Sequence, residues 1–105
     1  MSKANIVTAY ASIGPSAWVP LDTYRTPFSV GASAVITGSP TYNVEYTFDD
    51  VQNSAITPTV YSNLTVTGAT ANSNCAITVP ITAIRANVTS GSGSVVLTVI
   101  QSGLT

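Results

Sequence analysis

Over residues 28–37 apolar and polar positions alternate. Phe28, Val30, Ala32, Ala34 and Ile36 fall on one side and Ser29, Gly31, Ser33 and Thr37 on the other, with Val35 the exception. A period of two marks a strand with one buried face. The pattern recurs over 42–49, where Tyr42, Val44, Tyr46 and Phe48 point inward and Asn43, Glu45, Thr47 and Asp49 point to solvent. Gly38-Ser39-Pro40 separates the two runs. Gly, Ser and Pro are turn residues, so the spacing predicts a hairpin.

The C-terminal third reads the same way. Ile84, Ala86 and Val88 make one face of a strand over 82–89, and Val95, Leu97 and Val99 make one face of another over 94–101. Ser90-Gly91-Ser92-Gly93 is the expected turn between them. Val96 and Ile100 lie on the opposite face of the second arm, and a strand apolar on both faces is either central or covered by a partner. Shorter strands are predicted over 6–11, 17–21, 60–67 and 75–80, with a loop over 50–59. Trp18 and Pro20 make 17–21 an edge or an entry segment, not a central strand. No repeat of fixed period and no linker divides the chain. About seven or eight short strands in 105 residues predict a single all-β domain spanning residues 1–105. An antiparallel β-sandwich of jelly-roll or Greek-key connection fits, because a sheet this size must cover its apolar face with a second one.

Composition strengthens that prediction. Val, Ile and Thr together supply 37 residues, whereas Leu, Glu, Lys, Arg, Gln and Met together supply 11. β-branched side chains suit a pleated sheet and crowd a helix. Charge changes the picture more. Lys3, Arg25 and Arg85 stand against Asp22, Glu45, Asp49 and Asp50, which is 7% of the chain, where about a quarter is usual. Ser and Thr, 29 residues in all, must do the solvating. Such a surface is typical of proteins that work packed against copies or partners.

The same counts exclude chemistry. The chain has no His, the commonest acid/base near neutral pH, and a single Cys, so no His/Cys metal centre is expected. Three cations cannot make a phosphate-binding patch, so no nucleic-acid partner is expected. No run approaches the ~20 apolar residues of a membrane-spanning helix, and Met1-Ser2-Lys3-Ala4-Asn5-Ile6-Val7-Thr8 lacks a signal peptide's apolar stretch. Synthesis in a cytoplasm is the expectation, and lone Cys75, with no intramolecular partner, agrees. The sequons Asn63-Leu64-Thr65 and Asn87-Val88-Thr89 are then chance matches in an Asn/Thr-rich chain.

The remaining candidates weaken on inspection. Asp49, Asp50 and Asn53 could offer oxygens to calcium, yet the spacing lacks the repeated ligands and glycine of a calcium loop. Capping of nearby backbone N–H groups is expected instead. Asp22 with Glu45 or Asp49 could form a carboxylate pair for sugar hydrolysis, yet nothing in the sequence brings them together. No catalytic residue, cofactor or metal ligand is therefore assigned. Arg85 is expected to be solvated on an outward face, and Cys75 to be a small buried apolar residue. Trp18, Tyr10, Tyr24, Tyr42, Tyr46 and Tyr61 could stack on sugars or anchor an interface, with Tyr42 and Tyr46 expected in the core by alternation; Trp18 and Tyr24, in Pro-punctuated backbone, are the preferred anchors, with Arg25 in the adjacent loop and Val96 and Ile100 on the doubly apolar strand.

Two stretches carry a resemblance. Trp18-Val19-Pro20-Leu21-Asp22, followed by Thr26-Pro27-Phe28-Ser29-Val30-Gly31 and by residues 42–50, is one; residues 81–101 are the other. Together, over about half the chain, they resemble small β-sandwich virion proteins of tailed bacteriophages. The resemblance implies a non-enzymatic structural role, above all a capsid decoration (cement) protein. Such a protein bridges copies of a major capsid protein, or other virion proteins, as a homo-oligomer made in the host cytoplasm and resident in the virion. A neck, tail or fibre module, with or without carbohydrate binding, is the alternative. No family motif fixes a contact residue.

Overall fold

The computed structural model describes residues 5–21, 26–63 and 66–104, and side chains over 8–21, 29–63 and 66–101. Tyr24 and Arg25, expected at an interface, and Asp22 lie outside the described residues. Among the described residues seven strands follow one another: β1 (Asn5–Ala11), β2 (Gly14–Pro15), β3 (Val19–Pro20), β4 (Thr26–Thr47), β5 (Tyr61–Ser62), β6 (Ser73–Ile77) and β7 (Ala83–Leu104). All pairings are antiparallel. The all-β prediction holds, and the strand number matches.

The two predicted hairpins do not form. β4 and β7 each run unbroken for 22 residues and pair with each other along most of that length. The two supposed turns are opposite one another in the ladder: Gly38 pairs with Gly93, Ser39 with Ser92 and Pro40 with Gly91. Gly, Ser and Pro were read correctly as bend-formers. The bend they make is a corner in a two-stranded ribbon, and not a reversal of either strand.

Lengths show that the ribbon folds over. At ~3.3 Å per residue a straight 22-residue strand would span ~73 Å, nearly twice the 39 Å of the longest dimension. The shortest dimension, 20 Å, has room for two sheets ~10 Å apart. Split at the corner, β4 and β7 give eight segments in chain order, with β2 and β3 together as the second. One layer then pairs first with eighth, eighth with third and third with sixth. The other pairs second with seventh, seventh with fourth and fourth with fifth. Those pairings are a ribbon doubled on itself and rolled up, which selects the jelly-roll from the two predicted connections. We call the layer carrying β1 and β6 the front sheet and the layer carrying β2, β3 and β5 the back sheet.

The core lies between them as one cluster. Val30, Ala32, Ala34, Val95, Leu97 and Val99 enter from the front sheet and Tyr42, Val44, Ile84, Ala86 and Val88 from the back. One irregularity keeps both sets inward. Thr41 pairs with Ser90 but Tyr42 with Val88, so Thr89 is an extra residue on β7. A one-residue bulge exchanges the faces of a strand. Inward positions on β7 are accordingly even before it (84, 86, 88) and odd after it (95, 97, 99).

The alternation predicted over 42–49 fails at its C-terminal end. Phe48 is half exposed, whereas Glu45 and Thr47 are buried. Thr47 donates to the Thr59 carbonyl at 2.8 Å and accepts from the Asp49 N–H at 3.1 Å. The loop after β4 folds back over this outer position, and its polar side chain is buried because its hydrogen bonds are made.

The corner depends on glycine. Gly91 and Gly93 have φ of 82° and 122°. A Cβ would stand 2.3 Å from the Ser39 carbonyl oxygen at Gly91 and 2.0 Å from that of Thr37 at Gly93. Gly31, in the middle of the front sheet, has open space where its Cβ would be. Gly93→Ala is therefore expected to lower unfolding free energy by at least ~2 kcal/mol, from backbone strain and displacement of β4 together. Gly31→Ala should stay within ~0.5 kcal/mol of the parent. Urea denaturation of the two variants measures both, and equal stabilities would refute the account of the corner.

Candidate functional site

The outer faces of the two sheets differ in chemistry. On the back sheet Glu45 of β4 and Arg85 of β7 are directly opposite, a position in which unlike charges attract. Arg85 Nε donates to Glu45 Oε1 at 2.8 Å, and Asn87 Nδ2 donates to Glu45 Oε2 at 3.0 Å, so both carboxylate oxygens have partners. Trp18, between β2 and β3, lies on the guanidinium with its ring centroid 4.3 Å from Cζ. The cation faces the indole π-system. Backbone bonds hold the segment in place. Ser16 N–H donates to the Ala86 carbonyl at 2.7 Å, and Ser16 Oγ accepts from Ala86 N–H at 3.1 Å. Arg85 is thus paired and covered, not solvated as its sequence context predicted, and one face of Trp18 is occupied within its own chain.

The front sheet's outer face has no such cover. Tyr10 of β1, Val96 of β7 and Val35 of β4 form one cross-strand row. Thr8, Thr98, Ser33 and Asn74 form the next, and Ile100, Gly31 and Ala76 the one beyond. Tyr10 is 63% exposed, Val35 48% and Ile100 42%, and Val96 is partly exposed between them. No charged side chain lies on this face among the described residues. Val96 and Ile100, singled out from sequence, sit here two rows apart. Tyr10, one of the aromatics weighed as an anchor, was passed over for Trp18 and Tyr24, and Val35 was missed, although its break in the 28–37 alternation was the signal.

A third feature sits at one end of the sandwich. Tyr46 stacks on Tyr61 with centroids 5.7 Å apart, and Phe48 meets both rings edge-on at 5.9 and 5.8 Å. Tyr46 and Phe48 border an open cleft of about 260 Å³, lined also by Asn63, Ala76, Ile77, Thr78, Val79 and Ile81. Tyr46 was expected in the core with Tyr42. Tyr42 is buried, its hydroxyl donating to the Ala71 carbonyl at 2.6 Å, whereas Tyr46 is half-buried at the rim.

No protein-family model matches the chain, and no curated protein matches it in sequence. Among solved structures it is similar to a Bacillus endospore appendage, from a family of disulfide-linked pili. The TM-score is 0.49 at 12% identity, over 99% of this chain and 93% of that one. A likeness this slight says nothing about role.

The residues weighed for a metal are otherwise engaged. Asp49 Oδ2 accepts from Thr59 N–H at 2.7 Å, Asp50 Oδ1 from Gln52 N–H at 3.0 Å and Asn53 Oδ1 from Ala55 N–H at 3.0 Å. These are turn caps, and no group of three or more ligand-type side chains converges among the described residues. Glu45, the other carboxylate considered for acid/base work, is held by Arg85 and Asn87. Cys75 is half-buried and packs against the core. Burial pushes its thiol above the usual value by disfavouring the thiolate.

Two outcomes follow from this geometry. Arg85→Leu leaves a buried carboxylate without its cation and should cost ~3 kcal/mol. Glu45→Leu with Arg85→Leu removes both charges and should recover most of that loss, so a double-mutant cycle by chemical denaturation reads the coupling directly. Cys75 should alkylate more slowly than an exposed thiol at neutral pH, gaining rate only as pH rises past the ordinary thiol range. An exposed-thiol rate at neutral pH would contradict its placement.

Proposed function

We propose that this chain is a non-enzymatic structural protein of a virion, a capsid decoration (cement) protein that holds neighbouring capsid subunits together. The observation that supports this reading is the charge-free outer face of the front sheet. Burying it against another protein removes Tyr10, Val35, Val96 and Ile100 from water without desolvating any ion, and ion desolvation is the costly step in most interfaces. On the back sheet, Trp18 covers Arg85 and a partner would meet the Glu45–Arg85 pair.

The mechanism is mechanical. A rigid sandwich lies across the seam between capsid subunits and contacts each of them. One such contact is weak when the area is modest. Copies joined as a homo-oligomer raise the effective concentration of the remaining contacts, so the shell is held even when each contact alone would dissociate. The partner is the major capsid protein or another virion protein. No cofactor, nucleic acid or membrane enters the mechanism, and the protein is made in the host cytoplasm and incorporated at assembly.

Purified protein added to bare capsids should co-sediment at hundreds of copies per particle and occupy regular lattice positions by cryo-electron microscopy. A dozen copies or fewer at one vertex would move the role to the neck or tail. Ile100→Asp and Tyr10→Asp should each weaken capsid binding by about tenfold or more while leaving the denaturation midpoint nearly unchanged. Binding should vary little with salt, because no described residue of the face carries a charge to screen. A steep loss between low and high salt would overturn this mode of attachment.

A further inference from the structure

The edges of the two sheets are guarded differently. A strand at the edge of a sheet has unpaired N–H and C=O groups, and proteins blunt such edges with proline, charge or brevity. The back sheet does so on both sides: β2 and β3 each contain a proline, and β5 has only two residues. The front sheet does not. Its edges are β1, of seven residues, and β6, of five, and neither contains a proline, a glycine or a charged residue. Among the described residues β1 pairs with β7 alone, so alternate residues of β1 turn their backbone groups outward.

Exposure selects β1 over β6. Ile13 is 77% exposed and Tyr10 63%, the two highest values among the large apolar side chains described. Both belong to this edge. Tyr10 is on β1, and Ile13 lies on the segment that follows β7 through the corner from β1 to β2. On β6 the exposed residues are Asn74 and Ala76. The strand also suits pairing with itself. In an antiparallel pair of identical strands a charge would stand close to its own copy and be repelled; Asn5-Ile6-Val7-Thr8-Ala9-Tyr10-Ala11 has none. Thr8 is the middle residue, so full overlap sets it opposite the partner's Thr8, and Asn5 opposite the partner's Ala11. That register opposes even-numbered residues to even-numbered ones, which keeps the outer faces of both copies on one side. Ile13, just past Ala11, then lies beside the start of the partner's β1. Pairing of β1 with β6 would leave an open edge at each end and grow without closing, whereas a two-fold pair closes at two.

We propose that β1 pairs antiparallel with β1 of a second copy of this chain, across a two-fold axis at Thr8, and joins the two front sheets into one. Only the use of the dimer rests on the proposed function: two charge-free faces lie side by side, one for each capsid subunit at a seam. The pairing itself needs no capsid.

The test is sedimentation equilibrium of the full chain without capsids. It should show monomer and dimer alone, with a Kd of about 10 μM, because one strand edge makes a small interface. Thr8→Lys sets two ammonium groups opposite each other and should weaken the dimer about tenfold or more. Ile13→Asp should do likewise, and both residues are exposed, so the denaturation midpoints should barely move. Thr8→Cys in a Cys75→Ala chain should cross-link to its own copy under mild oxidation, because directly opposed residues lie within disulfide reach. Ser33→Cys, on the same face but in β4, should not. A chain that stays monomeric up to ~1 mM would overturn the proposal. So would association that survives both Thr8→Lys and Ile13→Asp, growth beyond the dimer, or loss of association with Asn74→Lys on β6 or Ile100→Asp on the outer face. Ile100→Asp should lose capsid binding and remain dimeric, whereas Ile13→Asp should be monomeric and bind capsids more weakly at the same lattice positions. Failure of the dimer and failure of the capsid reading are therefore separate results.

Discussion

The backbone contact at the corner governs this fold. Where β4 and β7 turn together from the front sheet into the back, their chains approach so closely that Gly91 and Gly93 have no room for a side chain. Everything else depends on that contact. Because the strands bend as a pair, they stay hydrogen-bonded through the corner, and each long strand serves two layers. The central pair of each sheet is thus the same pair of strands. A sandwich of separate hairpins would need long connections between layers; here the backbone ladder itself is the connection.

The corner also imposes a demand on sequence that the extra residue Thr89 meets. Without it, the face of β7 that points inward in the back sheet would point outward in the front one. Val96, Thr98 and Ile100 would then enter the core, and Val95, Leu97 and Val99 would face solvent. The apolar set on β7 changes parity between Val88 and Val95, and that change is visible in the sequence. Its meaning was masked by the glycines beside it, because a hairpin turn also permits any change of parity. Corner and hairpin use the same residues for the same reason, positive φ and a small profile, so local chemistry cannot separate them. Only the long-range register between residues 38–41 and 90–93 does so.

That boundary between local and non-local determines what was legible elsewhere. Alternation over 30–34, 84–88 and 95–99 is local, and the inward set it names there is the set that is buried. β2, β3 and β5 have two residues each, too few for any period. Their place is set by partners far along the chain, as when Ser16 exchanges two hydrogen bonds with Ala86 across 70 residues. Glu45 and Thr47 were assigned to solvent by alternation, and the alternation was right about their face. What it could not carry is that the outer face of the back sheet is itself covered, by Trp18 above Arg85 and by the loop that reaches Thr47 through Thr59. Val96 and Ile100 were found because an apolar residue on the wrong face is itself a local signal. The cluster of Tyr46, Phe48 and Tyr61 was not legible, since it forms only where β5 pairs with the end of β4.

The few charges acquire a reason from this contrast. A carboxylate at position 45 faces a guanidinium at 85 because the register places them opposite, and with Asn87 on its second oxygen and Trp18 over its partner the pair is largely removed from water. A buried pair of this kind adds little net stability over an apolar one, but it penalises any register in which either charge stands alone. In a ribbon rich in Val, Thr, Ser and Gly, where one-residue slips would otherwise differ little in energy, that penalty has its greatest effect. The pair therefore acts to fix the β4–β7 register from the back sheet. The front sheet, with no described charge on its outer face, takes its register from the same ladder across the corner. Its surface is thereby left uncharged without loss of specificity within the fold, which is the condition a contact face of this composition requires.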